Sequence, residues 1–280
     1  MELLISTENL AAHLNDPDWI IFDTRHDLSD TEMGRHAYAE GHIPGALFQH
    51  LDDDLSGRKS GSNGRHPLPG QRAFADRMAA LGLTRGKHAV VYDDAGGMVA
   101  SRLWWMLRWL GMERVMLLDG GYPKWLAQGR PVSAQVPVPI PGRNDFVPEA
   151  GMAVDAGFVL SHLGDGASVV LDARSPERYR GEQEPLDPVA GHIPGAVNRP
   201  FKSNLNADGT FRATDPLRAE YLELLKGRGP GQMVHQCGSG ITACHNLFAM
   251  ELAGLPGSRL YPGSWSEWVA ERSRPVALGA

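Results

Sequence analysis

The hexapeptide GHIPGA stands at Gly41–Ala46 and again at Gly191–Ala196, and this duplication restricts the chain to architectures built from two like units. The flanking sequence repeats with it. Upstream, IIFDTR ends at Arg25 and VVLDAR ends at Arg174, two short β-branched runs that each close on Asp-x-Arg. Downstream, VVYDDAGGMVASR parallels MVHQCGSGITACH, and DGGYPKW parallels YPGSWSEW. Between the copies, VPVPIPGRNDF (136–146) carries three prolines, which suits an extended linker rather than a helix. The pattern predicts an N-terminal unit over 1–135, a linker over 136–146 and a C-terminal unit over 147–280. A chain of 280 residues has the length of two ordinary domains.

Each copy alternates short apolar runs with helical patterns such as ASRLWWMLRWLG and TACHNLFAMELAG. That alternation predicts an α/β fold in which each unit is a parallel sheet flanked by helices. Such sheets place chemistry beyond the carboxyl ends of their strands. One of only two cysteines, Cys237, stands at such a place, because Met233–Gln236 reads as a strand and a helix begins near Thr242. Gly238, Ser239 and Gly240 between them allow backbone N–H groups to turn inward, and a helix N-terminus adds roughly half a positive charge. Such surroundings favour a thiolate and hold an anion beside it. The alternative is a small buried residue at a tight turn. The repeat argues against that alternative, since Asp94 aligns with Cys237 in the first copy and the position therefore accepts a carboxylate.

Charge and cysteine usage narrow the function further. Lys and Arg number 27 against 33 Asp and Glu, a formal charge of −6, so no basic excess favours a nucleic-acid partner, although a local cationic pocket for a small anion is compatible with it. No basic segment precedes a long apolar stretch at the start, and no apolar run is long enough to span a bilayer, which reads as a soluble, unexported, cytoplasmic protein without a membrane partner. Two cysteines make no disulfide framework, and without a CxxC or a paired His/Cys spacing there is no zinc signal. Cys244 shares a helical apolar spacing with Phe248 and Leu252 and is expected in the core. His42 and His192 occupy the duplicated turn, which suggests a structural task, and Trp104, Trp105 and Trp109 are expected to pack helix against sheet.

Taken together, the two HIPGA copies, the stretch DARSPERYRG and the loop CGSGIT resemble the tandem rhodanese-like sulfurtransferases, whose first unit lacks the catalytic cysteine, and among them the 3-mercaptopyruvate branch. The resemblance covers nearly the whole chain. It implies two rhodanese-like domains and a nucleophile, Cys237, that takes a sulfane sulfur as a persulfide. It also implies that Arg178 binds the anionic end of the substrate, that Gly238, Gly240, Ile241 and Thr242 of the loop help to hold it, and that Ser239 works with His66 of GRHPLPG and Asp52 of HLDDDLSG to manage protons. Without that resemblance, Arg178 reads as a surface charge paired with Glu177 or Glu182, and His66 and Asp52 as parts of polar loops. Many relatives carry a second substrate arginine in an EPR-like stretch; here the sequence is EPLDP with Leu186 at that place, and Arg180 is the nearby guanidinium that could stand in. The implied donor is a small molecule, 3-mercaptopyruvate or thiosulfate, and the implied acceptor a thiol, cyanide or a thioredoxin-like dithiol, with no metal or organic cofactor.

Three alternatives differ in chemistry. Thiosulfate is a dianion, and relatives that prefer it tend to carry cationic side chains inside the loop; CGSGIT has none, which suits a singly charged keto acid. A cysteine phosphatase needs an arginine closing the loop to clamp phosphate oxygens, whereas Ala243 ends this one. A non-catalytic binding module fits poorly with a cysteine kept in one copy and a carboxylate in the other.

Overall fold

The apolar runs of the first copy pair as a five-stranded parallel sheet in the computed structural model, which describes residues 2–280. Its strands are β1 (Leu4–Ile5), β2 (Trp19–Asp23), β3 (Leu47–Phe48), β4 (His88–Tyr92) and β5 (Val115–Leu118), in the order β1-β5-β4-β2-β3. Helices α1 (Thr7–Ala12), α2 (Met33–Glu40), α3 (Gln71–Ala80), α4 (Ala100–Trp109) and α5 (Gly121–Ala127) alternate with them. The second copy forms a four-stranded parallel sheet of β6 (Val169–Asp172), β7 (Val197–Asn198), β8 (Met233–Gln236) and β9 (Arg259–Leu260), in the order β7-β6-β8-β9. Its helices are α6 (Ala156–Ser161), α7 (Pro176–Arg180), α8 (Thr214–Leu225), α9 (Thr242–Leu252) and α10 (Ser264–Trp268). Every residue of β5, β6 and β8 is buried, as expected of parallel strands packed on both faces. The fold is α/β, with a parallel sheet flanked by helices in each half.

The chain divides into two units that do not follow the sequence strictly. The first holds residues up to Gly57, Leu68–Glu149 and Asn206–Phe211; the second holds Arg58–Pro67, Ala150–Leu205 and Arg212–Ala280. Residues 136–146 have no regular structure, with Val138 and Ile140 largely exposed, and Gly142 donates its N–H to the Ala79 carbonyl of the first unit. No helix among the described residues is long and apolar enough to cross a membrane.

The repeated motifs build the same joint twice. Asp23 pairs in register with Tyr92, and Asp172 with Gln236, so each Asp-x-Arg sits at the carboxyl end of its sheet. Arg25 Nη2 reaches Asp23 at 2.6 Å and the Gly41 carbonyl at 2.8 Å; Arg174 Nη2 reaches Asp172 and the Gly191 carbonyl at 2.7 Å each. Each guanidinium also lies over an aromatic ring, Arg25 over Tyr122 at 4.1 Å and Arg174 over Trp265 at 4.7 Å. These pairs fasten the duplicated turn to the sheet. Deleting one partner of such a buried pair strands the other charge and costs about 3–5 kcal/mol. The turn histidines are structural as expected: His42 and His192 donate from Nδ1 to the Tyr38 and Tyr179 carbonyls at 2.8 Å and stack on the same tyrosines with centroids 3.9 Å apart. Cys244 is fully buried on α9, and Trp104 and Trp105 are buried on α4.

Candidate active site

Strand β8 ends at Gln236 and α9 begins at Thr242, so Cys237 to Ile241 form the loop the sequence predicts. Its shape follows from three contacts. Cys237 N–H donates to Ser264 Oγ at 3.1 Å, while Trp265 and Ser266 N–H donate to the Cys237 and Gly238 carbonyls at 3.0 Å each, so the start of α10 clamps the loop backbone. Gly240 has φ of +80°, and a Cβ there would lie 2.4 Å from the Pro262 carbonyl oxygen, which only glycine avoids. In that conformation the Gly240 N–H donates to Cys237 Sγ at 3.1 Å. The thiol of Cys244 donates to the Gly240 carbonyl at 3.3 Å, so the two sulfur atoms engage opposite sides of one residue.

The second unit brings more of the expected residues to this loop. His66 Nδ1 lies 2.7 Å from Ser239 Oγ, with both residues buried. The segment carrying His66 is tied down by the Arg65 N–H, which donates to Ser266 Oγ at 3.0 Å, and by Gly64, whose φ of +86° and proximity to the Gly263 carbonyl admit no side chain. A Cβ on Gly238 would lie 2.8 Å from Arg65 Nη2 and 3.4–3.5 Å from the Arg178 guanidinium. Two arginines therefore converge over the residue next to Cys237, and the missing side chain at 238 makes room for them. Ile241 and Thr242 lead into α9 as the loop requires.

Other expectations are redirected. Arg180 does not join the cluster: it donates to Glu182 at 2.7 and 2.9 Å, a local pair at the surface that holds its charge outward. The second guanidinium beside the loop is Arg65, which sequence reasoning missed. Its signal was its place in the chain, since whatever carries His66 to Ser239 carries its neighbour as well. Arg178 pairs with neither Glu177 nor Glu182 but with Glu184, at 2.6 Å from Nη2 and 3.2 Å from Nε. Asp52 lies partly buried in a turn after β3 in the first unit, where its charge acts on His26. Its neighbours are engaged elsewhere: Asp53 with Arg35 and His50, Asp54 with Arg77 and the His50 N–H.

The first-copy counterpart of Cys237 is Asp93, not Asp94. Tyr92 and Gln236 hold the same register position, and the Tyr122 N–H caps the Asp93 carbonyl as the Trp265 N–H caps that of Cys237. The Asp93 carboxylate accepts N–H bonds from Ala95, Gly97, Val99 and Ala100 at 2.8–2.9 Å. Burial pushes this carboxyl above the usual range while those four amides pull it down. The first copy thus fills its own anion cradle with a side chain, where the second copy presents a sulfur atom.

A family profile described as "Rhodanese-like domain" matches residues 6–128 and 155–271. The chain is 46% identical over 278 residues to a probable 3-mercaptopyruvate sulfurtransferase of Pseudomonas aeruginosa, covering 99% of this chain and 98% of that one. It is 37% identical over 285 residues to a putative thiosulfate sulfurtransferase of Mycobacterium tuberculosis, again covering 99% and 98%. Among solved structures, a 3-mercaptopyruvate sulfurtransferase from Leishmania major superposes with a TM-score of 0.87 at 29% identity, over 98% of this chain and 76% of that one.

Proposed function

The chain belongs to the rhodanese-like family and is a sulfurtransferase, and from that premise we propose that Cys237 carries the transferred sulfur and that 3-mercaptopyruvate is the preferred donor. The observation that carries this reading is the 2.7 Å contact between Ser239 and His66, two residues from the sulfur nucleophile. A keto-acid thiol brings a proton that must be moved, whereas thiosulfate brings none. The Cys237 thiolate attacks the donor sulfur, a new S–S bond forms, and the carbon–sulfur bond breaks with its electron pair passing to carbon. Pyruvate leaves as its enolate. The thiol proton passes through Ser239 and His66 to the enolate carbon, so the products are a Cys237 persulfide and pyruvate.

Charge placement supports the same assignment. The Gly240 N–H faces the sulfur and stabilises negative charge there. Arg178 and Arg65 receive the donor carboxylate over Gly238. The persulfide then yields its outer sulfur to a small thiol, cyanide or a thioredoxin-like dithiol, and the two free thiols suit a reducing compartment such as the cytoplasm.

Brief exposure to 3-mercaptopyruvate followed by mass spectrometry should show one added sulfur atom, located on Cys237. Steady-state kcat/KM should be higher for 3-mercaptopyruvate than for thiosulfate. The reverse order would assign thiosulfate as the donor, and absence of the added sulfur would remove the persulfide step altogether.

A further inference from the structure

The stretch EPLDP, which departs from the EPR-like pattern, delivers two buried carboxylates to the arginines beside Cys237. Glu184 is saturated. It accepts from Arg178, from Arg174 Nη1 at 3.3 Å, and from the Leu186 and Asp187 N–H groups at 3.1 and 3.2 Å, so it holds the turn together. Asp187 is placed differently. One of its oxygens pairs with Arg65 and the other lies 3.4 Å from Arg178 Nη2, with its side chain only 4% exposed against 28% and 18% for the two arginines. It bridges the same two guanidiniums that converge over Gly238.

We propose that Asp187 is a specificity-determining residue that sets the charge of the donor this site accepts; the inference rests on the assignment of Arg65 and Arg178 to the donor anion. Arg65 and Arg178 carry two positive charges, and Asp187 and Glu184 cancel them formally before any ligand arrives. A singly charged carboxylate meets the fixed Asp187 charge once. A dianion such as thiosulfate meets it twice, so the Coulombic cost at equal distance is doubled. Selectivity against dianions then comes from a buried anion behind the arginines as well as from the neutral CGSGIT loop. Asp187 does not touch the reacting sulfur; it positions the two guanidiniums and offsets their charge.

The test compares the parent with Asp187→Asn and Asp187→Glu. Removing the charge should raise the ratio of kcat/KM for thiosulfate to that for 3-mercaptopyruvate by about tenfold or more, equivalent to about 1.4 kcal/mol of discrimination. It should strengthen competitive inhibition by sulfate more than inhibition by acetate. The Glu variant, which keeps the charge, should return both ratios toward the parent values, a rescue that a merely structural role would not produce. A donor ratio within twofold of the parent in Asp187→Asn overturns the proposal. A measurement on the parent guards against an Asn variant that does not fold: acetate should inhibit at least as strongly as sulfate, and tighter sulfate binding also overturns it. If the parent transfers sulfur from neither donor, the reading of the reaction fails, whereas direct calorimetric binding of sulfate and of acetate to parent and Asp187→Asn still decides whether Asp187 sets anion charge.

Discussion

Cys237 differs from an ordinary buried cysteine in what faces its sulfur. An amide N–H lies 3.1 Å away and two guanidiniums stand over the next residue, whereas Cys244, equally buried, faces a carbonyl. Cys237→Ser should abolish sulfur transfer with the fold intact, because serine is nearly isosteric but hardly ionises near neutral pH. Turnover in that variant, with an unchanged circular-dichroism spectrum, would place the nucleophile elsewhere. Cys244→Ser should retain activity, since a hydroxyl can still donate to the Gly240 carbonyl. His66 separates the two donors. If it moves the thiol proton, His66→Ala should lower kcat for 3-mercaptopyruvate by about 10²-fold or more and that for thiosulfate much less. Equal loss on both donors would indicate a collapsed site, and rates within about twofold on both would remove His66 from the chemistry.

At the scale of the element, the loop between β8 and α9 depends on α10. The hydrogen bonds from Trp265 and Ser266 fix the loop carbonyls, and Pro262 fills the space beside Gly240. Gly240→Ala should therefore force the loop away from Pro262, lose the N–H bond to the sulfur, and destabilise the fold by at least about 1 kcal/mol, since alanine is strained at positive φ. Thermal melting and donor kinetics on the same variant would check this; an unchanged melt would mean the loop relaxes at little cost. These elements were legible because their causes are local. A short run ending at Gln236, a Gly-Ser-Gly turn and a largely apolar helix, buried from Ala243 to Met250, fix β8, the loop and α9 from within about twenty residues of chain. The repeat also exposed the Asp-x-Arg joints. What was not legible depends on spatial register. Asp93 replaces Asp94 as the counterpart of Cys237 because strand pairing, not motif alignment, sets the position. Arg65, and not Arg180, stands beside the loop because a glycine-rich segment far away in sequence is anchored to Ser266, while Glu182, two residues from Arg180, captures its guanidinium.

At the scale of the whole molecule, the duplicated architecture buries titratable groups that the chemistry does not use, and these shape stability against pH. His235 is fully buried on β8, neither ring nitrogen has a hydrogen-bond partner, and burial followed by the nearby Arg199 charge lowers its pKa to about 3. His26 in the first unit is lowered too, by burial and then by His50. A histidine that titrates lower in the folded than in the unfolded chain leaves the unfolded state holding more protons as the solution is acidified. Stability is therefore full above pH 6.5 and falls as pH drops from there toward about 3, with His235 alone contributing up to about 1.4 kcal/mol per pH unit. Raised carboxyls such as Asp93 act in the opposite sense, from the ordinary carboxylate range upward to their raised values, so the contribution of His235 is isolated by comparing the parent with a variant that lacks it. The expected result is a steady loss of urea stability from pH 7 to pH 5 in the parent protein. His235→Leu, which removes the proton-binding site without opening a large cavity, should lose less over the same interval, the difference reaching about 2 kcal/mol at pH 5. Parallel stability curves for parent and variant would show that His235 takes its proton equally in both states, and would locate the acid sensitivity of this fold in other groups.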